Sequence, residues 1–297
     1  MIEKQLPVIL IFALGYTLKA LSIFDKKDSE LFLKLFYFVA IPAMMLVSVT
    51  QMKFTLELLW LPVIAVMVIL ILFAVSFIVG RRFNLERPSF GVFLVGSLVM
   101  NVAFTYPFLL AARGEEALAL AALFDFGNTI FIFTFIYYLA CRYGSNTLDS
   151  LVMLKKLLVC PPFMALLFAL FLNINQIQLP DVALQFFKIL GNMTIPLVML
   201  SLGILFSPKV LRVWPLVSVL FIRMGLGLLL GFLFVCLFDL QGLSRTVVLI
   251  CCSAPAGINT VVFSSLEKLD SEFAASVVSY SVLLGMFMVP LLLHLCD

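Results

Sequence analysis

Charge is the scarcest commodity in this chain. Of its 297 residues only 12% are Asp, Glu, Lys or Arg, whereas a soluble domain carries about a quarter. Histidine is nearly absent: His294, close to the C-terminal end, is the single one. That leaves no histidine cluster for a metal and no partner for a serine or cysteine triad. The six cysteines, Cys141, Cys160, Cys236, Cys251, Cys252 and Cys296, include no CxxC spacing, so they read as small apolar residues rather than a redox or zinc site. A net charge of +3, scattered along the chain, supplies no nucleic-acid footprint. No cofactor is called for. Polar stretches long enough to fold as a soluble domain are missing, as is the period-two alternation of a membrane β-barrel.

Apolar residues are what the chain has: 64% of the total, with a mean hydropathy of +1.22. They come in long unbroken runs rather than stripes, which predicts an all-α integral membrane protein. The opening "MIEKQLPVILIFALGYTLKALSIF" carries Glu3 and Lys19 and lacks a clean small-residue cleavage site, so it reads as a retained first span rather than a signal peptide. A spanning helix takes roughly 20 apolar residues. That rule places ten spans, near 6–23, 32–50, 58–79, 90–112, 117–140, 151–172, 186–206, 212–238, 245–266 and 273–295.

Orientation follows from the Lys and Arg content of the connections. Those after the odd-numbered spans hold Lys26, Lys27, Lys34, Arg81, Arg82, Arg87, Arg142, Lys155, Lys156, Lys209, Arg212 and Lys268; the opposite side holds Lys4, Lys53, Arg113, Lys188 and Arg245. Twelve against five predicts a multi-pass protein of the cell membrane with both termini on the non-cytoplasmic side.

The chain also resembles itself. "FLKLFYFVAIPAMML" (32–46) and "FFKILGNMTIPLVML" (186–200) share six of fifteen positions at an offset of 154, among them Lys34 with Lys188 and Pro42 with Pro196. At an offset of 155, Ser89 meets Ser244, Thr105 meets Thr260 and Phe108 meets Phe263. Five spans fit that shift, so the second copy enters the bilayer upside down. The expected organisation is repeat one over 1–146 and repeat two over 147–297, the inverted architecture of many secondary transporters.

The matched fourth and ninth spans are both interrupted by polar residues: "SLVMNVAFTYPFLLAARG" with Asn101 and Pro107, and "CCSAPAGINTVVFSSLEK" with Pro255, Gly257 and Asn259. A proline removes a backbone donor, and irregular backbone at membrane depth is tolerated only against protein or a wet cavity. Such breaks also present half-helix ends, with free N–H groups and partial positive charge at their N-termini. Two of them meeting would form a polar pocket suited to a small anion, with Asn101 and Asn259 lining it. Pro42, Pro62, Pro196 and Pro290, by contrast, read as ordinary kinks.

Besides Lys19 in the first span, two charges fall deep inside spans. Asp125, in "ALFDFGNTIF", costs on the order of 3 kcal/mol to insert and is followed one turn later by Asn128 on the same face. The pair reads equally as a proton or cation site, H+ or Na+, and as a structural hydrogen bond. Arg223, in "VSVLFIRMGLGLLLG", can pair with Asp125, bind a substrate carboxylate or serve structure, the last being favoured. Gly227 and Gly231 stand at GxxxG spacing, a weak signal of close helix packing.

At these residues a family resemblance emerges. "APAGINTVVFSSLEKLDSEFAASVVSYSVLLGMFMVPLLL" (254–293) and "NVAFTYPFLLAARGEEALALAALFDFGN" (101–128) resemble the corresponding segments of the auxin efflux carriers, the PIN-like transporters and their bacterial relatives. One departure is that Thr105 and Tyr106, rather than a glycine, precede Pro107. The resemblance implies a ten-helix fold like that of sodium/proton antiporters and bile-acid symporters. In it, spans one, two, six and seven form a scaffold, often a homodimer. Spans three to five and eight to ten form a moving transport domain, and spans four and nine cross at Pro107 and Pro255. It also implies organic-anion transport. The expectation is therefore a secondary carrier of a small organic anion, auxin-like or a mono- or dicarboxylate, with elevator-like alternating access. The alternative is a cation- or proton-coupled symporter or antiporter using Asp125. An enzyme is disfavoured because no nucleophile–base set is visible.

Overall fold

The computed structural model describes residues 2–52, 56–144, 161–206 and 212–296. The junction between the expected repeats at 146/147, the start of the sixth span, and Lys53, Cys160, Lys155, Lys156 and Lys209 lie outside them. The described residues are all helical apart from short connections and one isolated β-bridge. Among the described residues, six helices are long and apolar enough to cross a membrane: α2 (Lys27–Thr50), α3 (Trp60–Arg81), α6 (Glu115–Tyr143), α8 (Asp181–Leu205), α9 (Val213–Leu237) and α12 (Ser271–Leu295). Six shorter α-helices are also described: α1 (Ile2–Ala20), α4 (Arg87–Leu98), α5 (Val102–Arg113), α7 (Pro161–Ile174), α10 (Gly242–Cys252) and α11 (Asn259–Leu266).

Local chemistry sets several helix ends. At the start of α2, the Lys27 and Asp28 amides donate to Asp25 Oδ1 at 2.6 and 3.2 Å, and the Asp25 amide donates to Asp28 Oδ2 at 2.8 Å, a reciprocal capping box. Asp270 caps α12 by accepting from the Phe273 amide at 3.0 Å and also meets Arg212 at 3.3 Å. Three long helices carry a π turn: Phe36–Ala40 in α2, Ile132–Ile136 in α6 and Phe221–Leu226 in α9. A π turn rotates the residues that follow it relative to the helix face, and such turns gather at functional positions.

The helices pack in two groups. In one, α1 lies along α8, and α2 lies along α7 and α8. In the other, α3 packs on α4, α6 and α9, α10 on α6 and α9, and α5 on α6, α10 and α12, with α11 against α4 and α12 against α4 and α9; α5 also touches α1 and α8. The second group holds the fully buried Phe93, Phe104, Phe108, Phe124 and Phe273. Many large apolar side chains face outward, Val182, Phe186, Trp214, Phe221 and Phe287 among them, as a lipid-embedded chain requires. Gly227 and Gly231 do mark close packing: a Cβ on Gly227 would sit 2.3 Å from Cys252 O, and one on Gly231 2.9 Å from Cys252 Cβ, so α9 seats directly on α10.

Candidate functional site: the paired helix breaks

The 90–112 segment is two helices, α4 and α5, separated by Val99–Asn101; the 245–266 segment is likewise α10 and α11, separated by Ser253–Ile258. The two breaks lie against each other. Met100 and Ala256 form an antiparallel bridge, flanked by Asn101 N–H donating to Pro255 O at 2.8 Å and Gly257 N–H donating to Val99 O at 3.0 Å. Each bond becomes the other on exchanging residues 156 apart, so the pairing is self-complementary. A Cβ on Gly257 would come within 2.4 Å of Val99 Cγ1; the close approach of the strands therefore requires glycine there.

Four further backbone groups at the breaks are met by three side chains from surrounding helices. Ser281 Oγ, on α12, accepts from the Ala256 amide at 3.1 Å. Asn128 Nδ2, on α6, donates to Met100 O at 3.1 Å. Arg223, in the π turn of α9, donates through Nη2 to Cys252 O at 2.7 Å and through Nη1 to Leu98 O at 3.5 Å. Leu98 and Cys252 are the last residues of α4 and α10, so one guanidinium spans the negative ends of two helix dipoles. It is completely buried. Its partners are carbonyls, and among the described residues it forms no ion pair with Asp125.

Asp125 is half-buried on α6. Its carboxylate accepts from Asn128 Nδ2 at 2.7 Å and from the Tyr106 hydroxyl at 3.2 Å. Asp125 and Asn128 thus reach the first break together, as their i, i+3 spacing implied. Asn101 is 7% exposed; its Oδ1 accepts from the Phe104 amide at 3.2 Å, capping α5, while its Nδ2 has no partner. Asn128 Oδ1 and Thr260 Oγ1 are also buried without partners. Asn259, in the first turn of α11, is half-buried, and its side chain makes no hydrogen bond among the described residues.

Pro107 differs from its expected place. The first break precedes it, at Val99–Asn101, and Pro107 sits buried inside α5. Its missing N–H forfeits one bond, to the Ala103 carbonyl, yet the helix runs on through it. Pro255, in contrast, lies within its break, and its carbonyl is one of the two that join the strands. Ser281 carried no signal in the sequence, and Tyr106 and Thr260 were noted there without being placed among the candidate site residues. Tyr106, next to Pro107 and preceding an intramembrane Asp, carried the strongest available signal.

The model of the family described as "membrane transport protein" matches residues 1–293. The chain belongs to that family. Two archaeal relatives are similar along almost their whole length, and both are named as uncharacterized transporters. The one from Methanocaldococcus jannaschii is 26% identical over 92% of each chain. The one from Methanothermobacter thermautotrophicus is 25% identical over 97% of this chain and 96% of its own. This membrane transport protein is accordingly a multi-pass protein of the bilayer, of the auxin efflux carrier kind that its 101–128 and 254–293 segments resemble.

Proposed function

We propose that this membrane transport protein is a secondary carrier of a small organic anion, built as a ten-span, five-plus-five inverted repeat that works by elevator-like alternating access. The single observation that carries this reading is the self-complementary pairing of the two breaks about Met100 and Ala256. Supporting it, helix boundaries recur at a similar shift: Lys27–Thr50 with Asp181–Leu205, Trp60–Arg81 with Val213–Leu237, and Glu115–Tyr143 with Ser271–Leu295. The group of α1, α2, α7 and α8 corresponds to the scaffold of such a carrier, and the other group to its moving body.

The electrostatics of the breaks favour an anion. Arg223 neutralises the C-terminal ends of α4 and α10, which leaves the N-terminal ends of α5 and α11 as the uncompensated poles. Asn101 Nδ2 and Thr260 Oγ1 are buried beside those poles without partners, and each such group costs on the order of 1–3 kcal/mol until something satisfies it. An organic anion held by Asn101, Asn259 and the backbone around Gly257 would do so. The Lys and Arg distribution supports both termini lying outside the cytoplasm. Proteoliposome flux tests the reading: labelled malate, malonate and indole-3-acetate, with and without pH and sodium gradients. Movement of none of them would contradict it.

A second reading, that transport is coupled to H+ or Na+ at Asp125, is favoured by one arrangement. The carboxylate, the unpartnered Asn128 Oδ1 and Met100 O are drawn together by Asn128 Nδ2, giving oxygen ligands of the kind a hard cation or proton takes. Asp125→Asn is then expected to abolish gradient-driven accumulation while sparing exchange. Full gradient dependence in that variant removes Asp125 from coupling.

A further inference from the structure

The two groups of helices face each other along two seams. At one, α1 and α8 stand across from α11 and α12, with a gap of about 550 Å³ between them. At the other, α6 of the second group lies directly on α2 and α7 of the first. That closed seam is aromatic. Phe163, on α7, stands apart from the main core in a small cluster of its own, with Tyr37 from α2 and Phe126, Ile130 and Phe133 from α6. The Phe126 and Phe163 rings are parallel to within 4°, with centroids 5.2 Å apart, the offset stack that ring quadrupoles favour.

Two observations set this cluster apart from ordinary packing. Each group brings a π turn to it: Tyr37 lies in Phe36–Ala40 of α2, and Phe133 in Ile132–Ile136 of α6. Such turns are rare and gather at functional positions. The internal repeat supplies the second observation. The chain displacement of 154 that relates 32–46 to 186–200 carries Phe163 to Ile9 on α1 and Phe126 to Tyr280 on α12. An isoleucine cannot stack on a ring, so the mirror seam has no equivalent of this pair. One seam therefore has the stack and the other has the gap. Phe126 also adjoins Asp125, whose carboxylate accepts from Tyr106 and Asn128 at the first break. The stretch of α6 that grips the first group is thus the stretch that meets the break.

We propose that Phe126 and Phe163 form a latch that sets the resting position of the moving body. The inference rests on the alternating-access reading above and assigns two positioning residues to it. In an inverted repeat the halves exchange conformations, so closing the gap at one seam opens the other. The stack has to part in that exchange, and no ring pair of the same kind replaces it at the mirror seam. The latch therefore favours the present arrangement over its counterpart.

The test is the distance across the open seam in the ligand-free full chain. Nitroxide labels go on Ser22→Cys, at the end of α1, and Ser265→Cys, on α11, both exposed, with the native cysteines replaced. Double electron–electron resonance in nanodiscs should show one dominant distance and a minor second one. Phe126→Leu and Phe163→Leu should each raise the ratio of second to first about two- to ten-fold, the scale of an aromatic pair beyond the area it buries. The double variant should add little to either, because all three remove one contact. Phe73→Leu is the comparison: it removes the edge contact of Phe73 with Phe135, at 4.9 Å within the second group, and should leave the ratio at wild type although it loosens the same helix. A ratio unchanged in both Phe126→Leu and Phe163→Leu, a single distance in every variant, or an equal change in Phe73→Leu would each overturn the latch. Flux in proteoliposomes separates the two claims. Transport of an organic anion with no effect of the two phenylalanines on the ratio sinks the latch alone; no transport of malate, malonate or indole-3-acetate sinks the reading beneath it.

Discussion

Removing the Arg223 guanidinium should loosen the paired breaks more than any other single truncation. The side chain is fully buried and holds Cys252 O at 2.7 Å and Leu98 O at 3.5 Å. In Arg223→Met, similar in length and apolar, both carbonyls lose their donor. Leaving buried acceptors unpaired costs about 1–3 kcal/mol each, and the lost compensation of two helix ends adds up to about 2 kcal/mol. Against this stands the relief of no longer burying a cation, which is worth several kcal/mol and can make an apolar replacement neutral. Geometry decides between them. Gly227, whose added Cβ would meet Arg223 Nη2 at 2.7 Å, packs closely against the guanidinium, and methionine brings in no donor to replace it. A net loss of about 3 kcal/mol is expected, a fall in apparent melting temperature of about 6–12 °C, together with loss of flux. Arg223→Lys, which keeps the charge without the fork, should fall between. The assay is thermal unfolding in detergent monitored by a thiol-reactive dye. An Arg223→Met variant that melts within 2 °C, taken as about the resolution of the melt, of wild type would refute the reasoning.

Two further outcomes follow from the same geometry. Asn259→Ala should cut flux by about ten-fold or more while leaving the melting temperature near wild type, since its side chain supports no protein hydrogen bond among the described residues; a collapse of the fold would mark the asparagine as structural. Gly257→Ala should destabilise by about 1–3 kcal/mol because its Cβ would overlap Val99 Cγ1, and Val99→Ala in the same chain should restore most of the loss; lack of rescue in thermal unfolding would mean that the two strands do not press on each other there.

Much of this molecule was readable from its residues, and for identifiable reasons. Spanning helices declare themselves because lipid demands long apolar runs, and the second break declares itself because Pro255, Gly257 and Asn259 crowd into one such run. Asp125 and Asn128 were linked by helical spacing alone. Of the two residues that marked the first break, Asn101 lies in it, whereas Pro107, the usual local signal for interruption, stands six residues on, so the break was placed only in part. Its actual position is dictated by pairing with a strand 156 residues away, which no local signal encodes. The same distance hides the partners of Arg223: a lone intramembrane arginine announces that it needs acceptors, but the carbonyls of Leu98 and Cys252 carry no side-chain signature.

The pairing of the breaks is tested most directly by cross-linking them. Met100 and Ala256 form the non-hydrogen-bonded pair of the bridge, for which the Cα separation is about 4.5 Å, within the range a disulfide spans. Met100→Cys with Ala256→Cys, in a chain whose native cysteines are replaced, should form an intramolecular disulfide under mild oxidation, detected by mass spectrometry of the digested protein. Two thiols that stay free under oxidation and react separately with maleimide in the folded protein would contradict the account.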